Sequence, residues 1–176
     1  MSRLPPMPAG RVGAGADVEP MMDLEDLITV VRSLKTDDAF KTRLDPFQWR
    51  TLGSYLAAYE MRAGDMLIRQ GDADRTAYFI AAGSLQVYRS GPSAGQARIA
   101  LLRPGALVGE TGLFSDQPHS ANIEAMTPTQ VWAMHLPRFE ELSARAPGIA
   151  IEFLRAAGAV MVARLRANMV QQIAVA

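Results

Sequence analysis

Between about Tyr59 and His135 the chain breaks into short runs rich in Ile, Val, Leu, Tyr and Phe, parted by Gly, Asp or Pro every ~8–12 residues. Such runs are too short for core helices, and their spacing is that of antiparallel strands joined by tight turns. The turn signals are Ala63-Gly64-Asp65, Gly71-Asp72, Ala82-Gly83-Ser84, Gly91 to Gly95 and Pro104-Gly105. Leu85-Gln86-Val87-Tyr88-Arg89 alternates apolar with polar, as a strand with one buried face must. This pattern predicts a mainly β fold with flanking helices, its core an antiparallel jelly roll (double-stranded β-helix) over residues 59–136.

Helical signals flank that core. Asp23 stands ready to cap a helix whose apolar positions Leu24, Leu27, Ile28, Val31 and Leu34 recur at helical spacing. Asp45 followed by Pro46 opens a second helix that buries Trp49, Leu52 and Leu56, so residues 23–58 read as N-terminal helices. Ahead of them, residues 1–22 carry Pro5, Pro6, Pro8 and Pro20 with Gly10, Gly13 and Gly15, the composition of a flexible tail. Residues 137–176 read as closing helices: a short one opened by Pro137, then a long one after Pro147-Gly148. Ile149, Ile151, Phe153, Leu154, Ala156, Ala157, Gly158, Val160, Met161, Leu165, Met169, Val170 and Ile173 occupy more than one face of the long helix. One stripe suits the chain's own core and a second suits another helix, which predicts a homodimer through the C-terminal helix.

Composition narrows the function. Lys+Arg and Asp+Glu are 18 each, so no bulk attraction to nucleic acid is built in. The cysteine count of 0 excludes disulfides, Cys-ligated metal and thiol chemistry, and fits a cytoplasmic protein. No apolar run approaches the ~20 residues that cross a bilayer, and the N-terminus lacks a signal-peptide pattern, so neither a membrane span nor secretion is expected. The only histidines, His119 and His135, form no His-x-His pattern, and no metal site is expected. Ser115, Asp116 and His119 come without a nucleophile elbow, so the chain does not read as an enzyme.

The segment from Pro104 to Ala121, PGALVGETGLFSDQPHSA, is a glycine-punctuated turn, a helix start near Glu110, and a return to strand at Ser120. A turn of this kind aims several backbone N–H groups one way and makes an anion-binding nest. A carboxylate inside such a nest demands a specific partner, for which a ligand hydroxyl is suited. Hydroxyl beside phosphate describes a nucleotide.

Gln70-Gly71, Ala82-Gly83-Ser84, Val108-Gly109-Glu110 and Ser120-Ala121, at these separations, resemble the cyclic nucleotide-binding domains of catabolite activator proteins and of regulatory subunits of cyclic AMP-dependent kinases. The resemblance covers about residues 45 to 175 and implies a regulatory module whose ligand is a cyclic nucleotide, cAMP favoured over cGMP, with no metal. It implies that Glu110 accepts the ribose 2′-hydroxyl and that amides of Gly109, Glu110, Thr111, Ser120 and Ala121 hold the cyclic phosphate in the turn 104–121. Val87, Ile99 and Leu102 match positions that line the purine. Arg164, with Arg166 and Asn168 as further candidates, lies where the closing helix covers the base, although an arginine on a helix face equally suits pairing with a local acid.

The family places Arg just before the Ser/Thr-Ala pair; this chain has His119 there. Arg is always charged and forks onto two phosphate oxygens, whereas imidazole presents one N–H in that direction and carries charge only at lower pH. The exchange costs about 1.5–3 kcal/mol of binding. A bound phosphate favours charged imidazole, so binding should strengthen as pH falls. Transcription factors of the family continue past the long helix into a DNA-reading unit, and direct DNA binding is not expected of a chain that ends in that helix. The expected output is to an unidentified protein partner through the C-terminal helix. The alternative is a ligand-independent dimerisation or scaffold protein with a degenerate pocket.

Overall fold

The computed structural model describes residues 23–91 and 96–174. The tail read at 1–22 and most of the Gly91 to Gly95 turn lie outside the described residues. Among the described residues eight strands form two four-stranded antiparallel sheets. They are β1 (Ala57–Met61), β2 (Met66–Ile68), β3 (Thr76–Ala82), β4 (Leu85–Ser90), β5 (Gln96–Leu102), β6 (Leu107–Val108), β7 (Asn122–Ala125) and β8 (Thr129–His135). One sheet runs β1-β8-β3-β6 and the other β2-β7-β4-β5, so the chain crosses from sheet to sheet at every connection except the β4–β5 hairpin, as in a jelly roll.

Among the described residues five helices accompany the roll: α1 (Leu24–Ser33), α2 (Pro46–Gly53), α3 (Glu110–Phe114), α4 (Leu136–Arg145) and α5 (Pro147–Ala174). Asp23 caps α1 by accepting from the Asp26 amide, and Asp45 with Gln48 forms a reciprocal capping box on α2, with Pro46 in its first turn. These caps fix where each lead-in helix starts.

Strand β3 is buried on both faces, and its alternation separates two cores. Ala77, Phe79 and Ala81 face a helical cluster with Leu27, Trp49, Phe139, Phe153 and Val160. Tyr78 and Ile80 face the roll interior with Ile68, Leu85, Leu102, Val108, Ile123 and Val131. The helical cluster is knit by rings: Phe79 meets Phe40 edge-on at 5.0 Å, and Phe153 lies 5.4 Å from Phe40 and 5.7 Å from Phe139. Such pairs add about 0.5–1.5 kcal/mol each beyond burial.

Of the two stripes read on α5, one is buried by Ile149, Phe153, Ala156, Ala157 and Val160. The segment after α1 runs beside this helix in the opposite direction. Glu152 accepts from the Arg43 amide at 2.6 Å, Arg155 donates to the Lys41 carbonyl at 2.9 Å, and Arg164 donates to Asp38 at 2.9 Å. The hydrogen bonds from Arg155 hold the Glu152 carboxyl down at about 2. The helix is thereby strapped along its length, and Arg164 falls over the turn that opens α3.

Candidate functional site: the turn at the start of α3

The turn begins where Val108 pairs with Tyr78 of β3. Gly109 then takes φ +74°, and a Cβ there would lie 2.5 Å from the Thr76 carbonyl oxygen, so only glycine fits both the conformation and the space. The Gly109 carbonyl accepts from Gly112 and Leu113, closing a single turn of helix. The amides of Glu110 and Thr111, in the first turn, have no carbonyl partner within the helix.

Glu110 is only 4% exposed. The partner its burial demands is Arg164, whose Nη1 donates to Glu110 Oε1 at 3.0 Å. The same guanidinium donates through Nε to Asp38 Oδ2 at 2.9 Å and through Nη2 to the Leu107 carbonyl at 2.8 Å. Burial works to raise the Asp38 pKa, but hydrogen bonds from Thr36 and Arg164 and the charge of Arg164 outweigh it, and the group stays below the usual carboxylate range. Each of the three Arg164 nitrogens is engaged by protein, and the pairing with a local acid that the sequence offered beside a base contact is the one this structure contains.

His119 is 8% exposed and held by its backbone, its amide donating to the Asp72 carbonyl and its carbonyl accepting from Gly71, both at 2.8 Å. These bonds, with the Gln70 amide donating to Asn122 Oδ1 at 2.9 Å, join Gln70-Gly71 to the segment around Ser120-Ala121: the first turn staples the second. The ring lies against Gly112, with Nε2 at 2.9 Å from the Asp74 carbonyl oxygen.

Asp74, itself exposed, is also the end of a chain of hydrogen bonds that runs through the buried Thr76 and Tyr78. Its carboxylate accepts from Thr76 Oγ1 and from the Tyr78 hydroxyl, both at 2.8 Å. Because Thr76 spends its proton on Asp74, His135 Nδ1 must donate to Thr76 Oγ1 at 2.9 Å, leaving Nε2 to accept from the Tyr59 hydroxyl at 3.1 Å. Burial lowers the His135 pKa, only partly opposed by the Asp74 charge, and burial together with Asp74 pushes the Tyr78 hydroxyl up, so it stays protonated.

Val87 and Leu102 line the roll on paired strands, Leu102 in its core and Val87 packed against it. Ile99 is placed differently: it is the extra residue of a bulge between the Val87–Ala100 and Tyr88–Arg98 pairs, and 51% exposed. The register sets Ala100, not Ile99, across from Val87. Thr111 and Ser120 are exposed and Ala121 half-buried at the rim of the turn. Among the described residues no group of three or more His, Cys, Asp or Glu side chains lies where it could hold a metal ion.

A cyclic nucleotide-binding domain model matches residues 59–146, the stretch that contains the roll, the turn and α4. The chain belongs to the cyclic nucleotide-binding domain family. It is 28% identical over 115 residues to a cGMP-dependent protein kinase of Plasmodium berghei, covering 65% of this chain and 13% of the kinase. It is 31% identical over 102 residues to a cyclic nucleotide-gated potassium channel of Mesorhizobium japonicum, covering 58% of this chain and 27% of the channel. The chain thus spans a small part of the length of these relatives. A solved cyclic nucleotide-binding domain from Methylobacillus flagellatus superimposes with a TM-score of 0.76 at 23% identity, covering 87% of this chain and 84% of the other.

Within this cyclic nucleotide-binding domain the roll and the turn bring Gly109, Glu110, Thr111 and His119 into one neighbourhood, and α5 adds Arg164. Sequence reasoning missed Asp38, Asp74 and Gly112. Asp38 lies in an irregular segment and acts on α5 more than 120 residues away. Asp74 acts through a backbone carbonyl, which no residue type announces. Gly112 alone carried a signal, a second glycine three residues after Gly109.

Proposed function

We propose that this chain is a regulatory module that binds a cyclic mononucleotide, cAMP in preference to cGMP, and passes occupancy through α5 to a protein partner in the cytoplasm. The observation that carries the reading is the contact between Glu110 and Arg164: the carboxylate expected to take a ribose hydroxyl is bonded to the helix expected to report on it. A sugar hydroxyl donating to Glu110 competes for the oxygen that Arg164 holds, while the first-turn amides of α3 donate to the cyclic phosphate. Ligand binding then weakens one of the contacts that strap α5, and the helix shifts in proportion to that difference.

The second stripe of α5 supports a homodimer. Ile151, Leu154, Val162, Leu165 and Met169 are exposed at intervals of three, four or eight, and Gly158 between them has open space where a side chain would stand. Two copies laid along this stripe bury it and bring both sensors against one interface.

The contact that supports regulation also favours a second reading, a ligand-independent dimer whose Glu110 is permanently satisfied by Arg164. Thermal melting with millimolar cAMP or cGMP at about pH 6 and pH 7.5 separates them. The sensor reading expects a raised midpoint, larger for cAMP; no shift with either nucleotide at either pH leaves the scaffold.

A further inference from the structure

The imidazole of His119 is seated in a way that dictates its proton. Nε2 lies 2.9 Å from the Asp74 carbonyl oxygen. A carbonyl only accepts, so Nε2 carries the hydrogen and the neutral ring has a bare lone pair at Nδ1. A phosphodiester oxygen also only accepts. In this pose neutral His119 therefore has no donor left for a phosphate, and it can serve an anion only after a second proton arrives at Nδ1, when both nitrogens donate.

The pose is built rather than incidental. A Cβ on Gly112 would stand 2.5 Å from His119 Cε1 and 2.7 Å from the Asp74 oxygen, distances that neither ring nor backbone can accommodate. Glycine at 112 is what admits the ring between α3 and the loop before β3. The backbone of His119 is held at both ends by Asp72 and Gly71, so the ring cannot escape by a shift of the chain. Charged groups stand on the elements that hold it. Asp72 and Asp74 come from the loop before β3, and the Asp74 carboxylate receives Thr76 and Tyr78, with His135 of β8 behind Thr76. Arg75 in that loop is turned to Asp116, beyond α3. Glu110 on α3 is paired with Arg164 of α5.

We propose that the anion-binding turn takes up one proton with each cyclic phosphate, at Nδ1 of His119, and that Gly112 and the Asp74 carbonyl are the positioning elements that make it so. The proton comes from solvent and the ring passes from neutral imidazole to imidazolium; no bond of the nucleotide breaks. The site is accordingly a proton-coupled variant of an anion nest, binding more tightly as pH falls. This rests on the cyclic nucleotide reading of the same turn.

Calorimetric titration of the full chain with cAMP, in buffers of different ionisation enthalpy at about pH 7.5, counts the protons taken up; a series between about pH 6 and pH 8 gives the affinity profile. The expected result is uptake approaching about one proton per ligand and affinity at least about fivefold higher at the acid end. His119→Gln, which donates but does not titrate, should bind with no net uptake and a flat profile. Gly112→Ala, if its melting curve shows it folded, should flatten the profile in the same way; His119→Gln decides the question without it. Wild-type binding with no proton uptake and no pH dependence overturns this inference and leaves the nucleotide reading standing, as does a His119→Gln variant that keeps the slope. A folded wild-type protein that binds no cyclic nucleotide anywhere in the range overturns the reading itself, and this inference with it.

Discussion

Arg164 donates to Glu110 at 3.0 Å, joining the second half of a 28-residue helix to the one buried carboxylate of the α3 turn. The pair links the α3 turn to α5 through a single guanidinium. Asp38 binds that guanidinium as well, so the N-terminal strap shares the joint.

Arg164→Gln should separate stability from ligand binding. Removing the cation leaves Glu110 buried without its partner, and denaturant unfolding should show a loss of about 1–3 kcal/mol. The same change removes the competitor for the ribose hydroxyl, so cAMP affinity should rise when measured by calorimetry. An affinity that falls or stays level would sink the competition between ribose and helix.

Glu110→Ala should abolish cAMP binding while the protein remains folded. His119→Arg should tighten binding about ten- to a hundredfold near pH 8 and remove its pH dependence, because guanidinium is charged throughout. Equilibrium titration of both variants checks this, and unchanged affinity in Glu110→Ala would show that the ribose lies elsewhere.

The dimer is best tested by surface charge. Cutting the chain before α5 would remove Phe153, Ala156 and Val160 from the core and unfold it, so a truncated form says nothing about association. Leu165 is 60% exposed, and Leu165→Glu places charge on the stripe without touching the core. Sedimentation equilibrium should show a mass of two chains for the wild type and of one for the variant, at equal melting temperature.

Stability should fall on acidification through His135. Its folded pKa is depressed by burial below the ordinary value near 6.5, so the unfolded chain binds the proton first. The stabilising contribution is complete above about pH 6.5 and is lost as pH falls toward the lower, folded value. Melting midpoints between about pH 7 and pH 5 should decline in the wild type, and less steeply in His135→Gln, which still reaches Tyr59 and Thr76. Equal slopes would assign the decline to carboxylates.

The layout of the chain was legible because it is local. Gly and Asp at ~8–12-residue intervals mark the turns of the roll, and Asp45-Pro46 marks the start of α2. Gly109 and Glu110 were legible for the same reason, since a positive φ and a short helix start are properties of a few adjacent residues. The exposure of Ile99 was not legible, because a bulge shifts the alternation by one and a bulge in β5 leaves no mark in composition. For Arg164, its place on a helix follows from the sequence, but which carboxylate it reaches depends on how α5 lies across the roll.

By itself the sequence determined the jelly roll, the glycine turn before Glu110 and the apolar stripes of α5, because each follows from periodicity or from the conformational needs of residues close together in the chain. Only the tertiary structure decided that Glu110 is held by Arg164, that Asp38 shares that cation, and that Gly112 opens the space in which His119 turns to the Asp74 carbonyl. Those contacts join residues brought together by packing, and their distances and proton assignments exist only once the sheets and helices are in place.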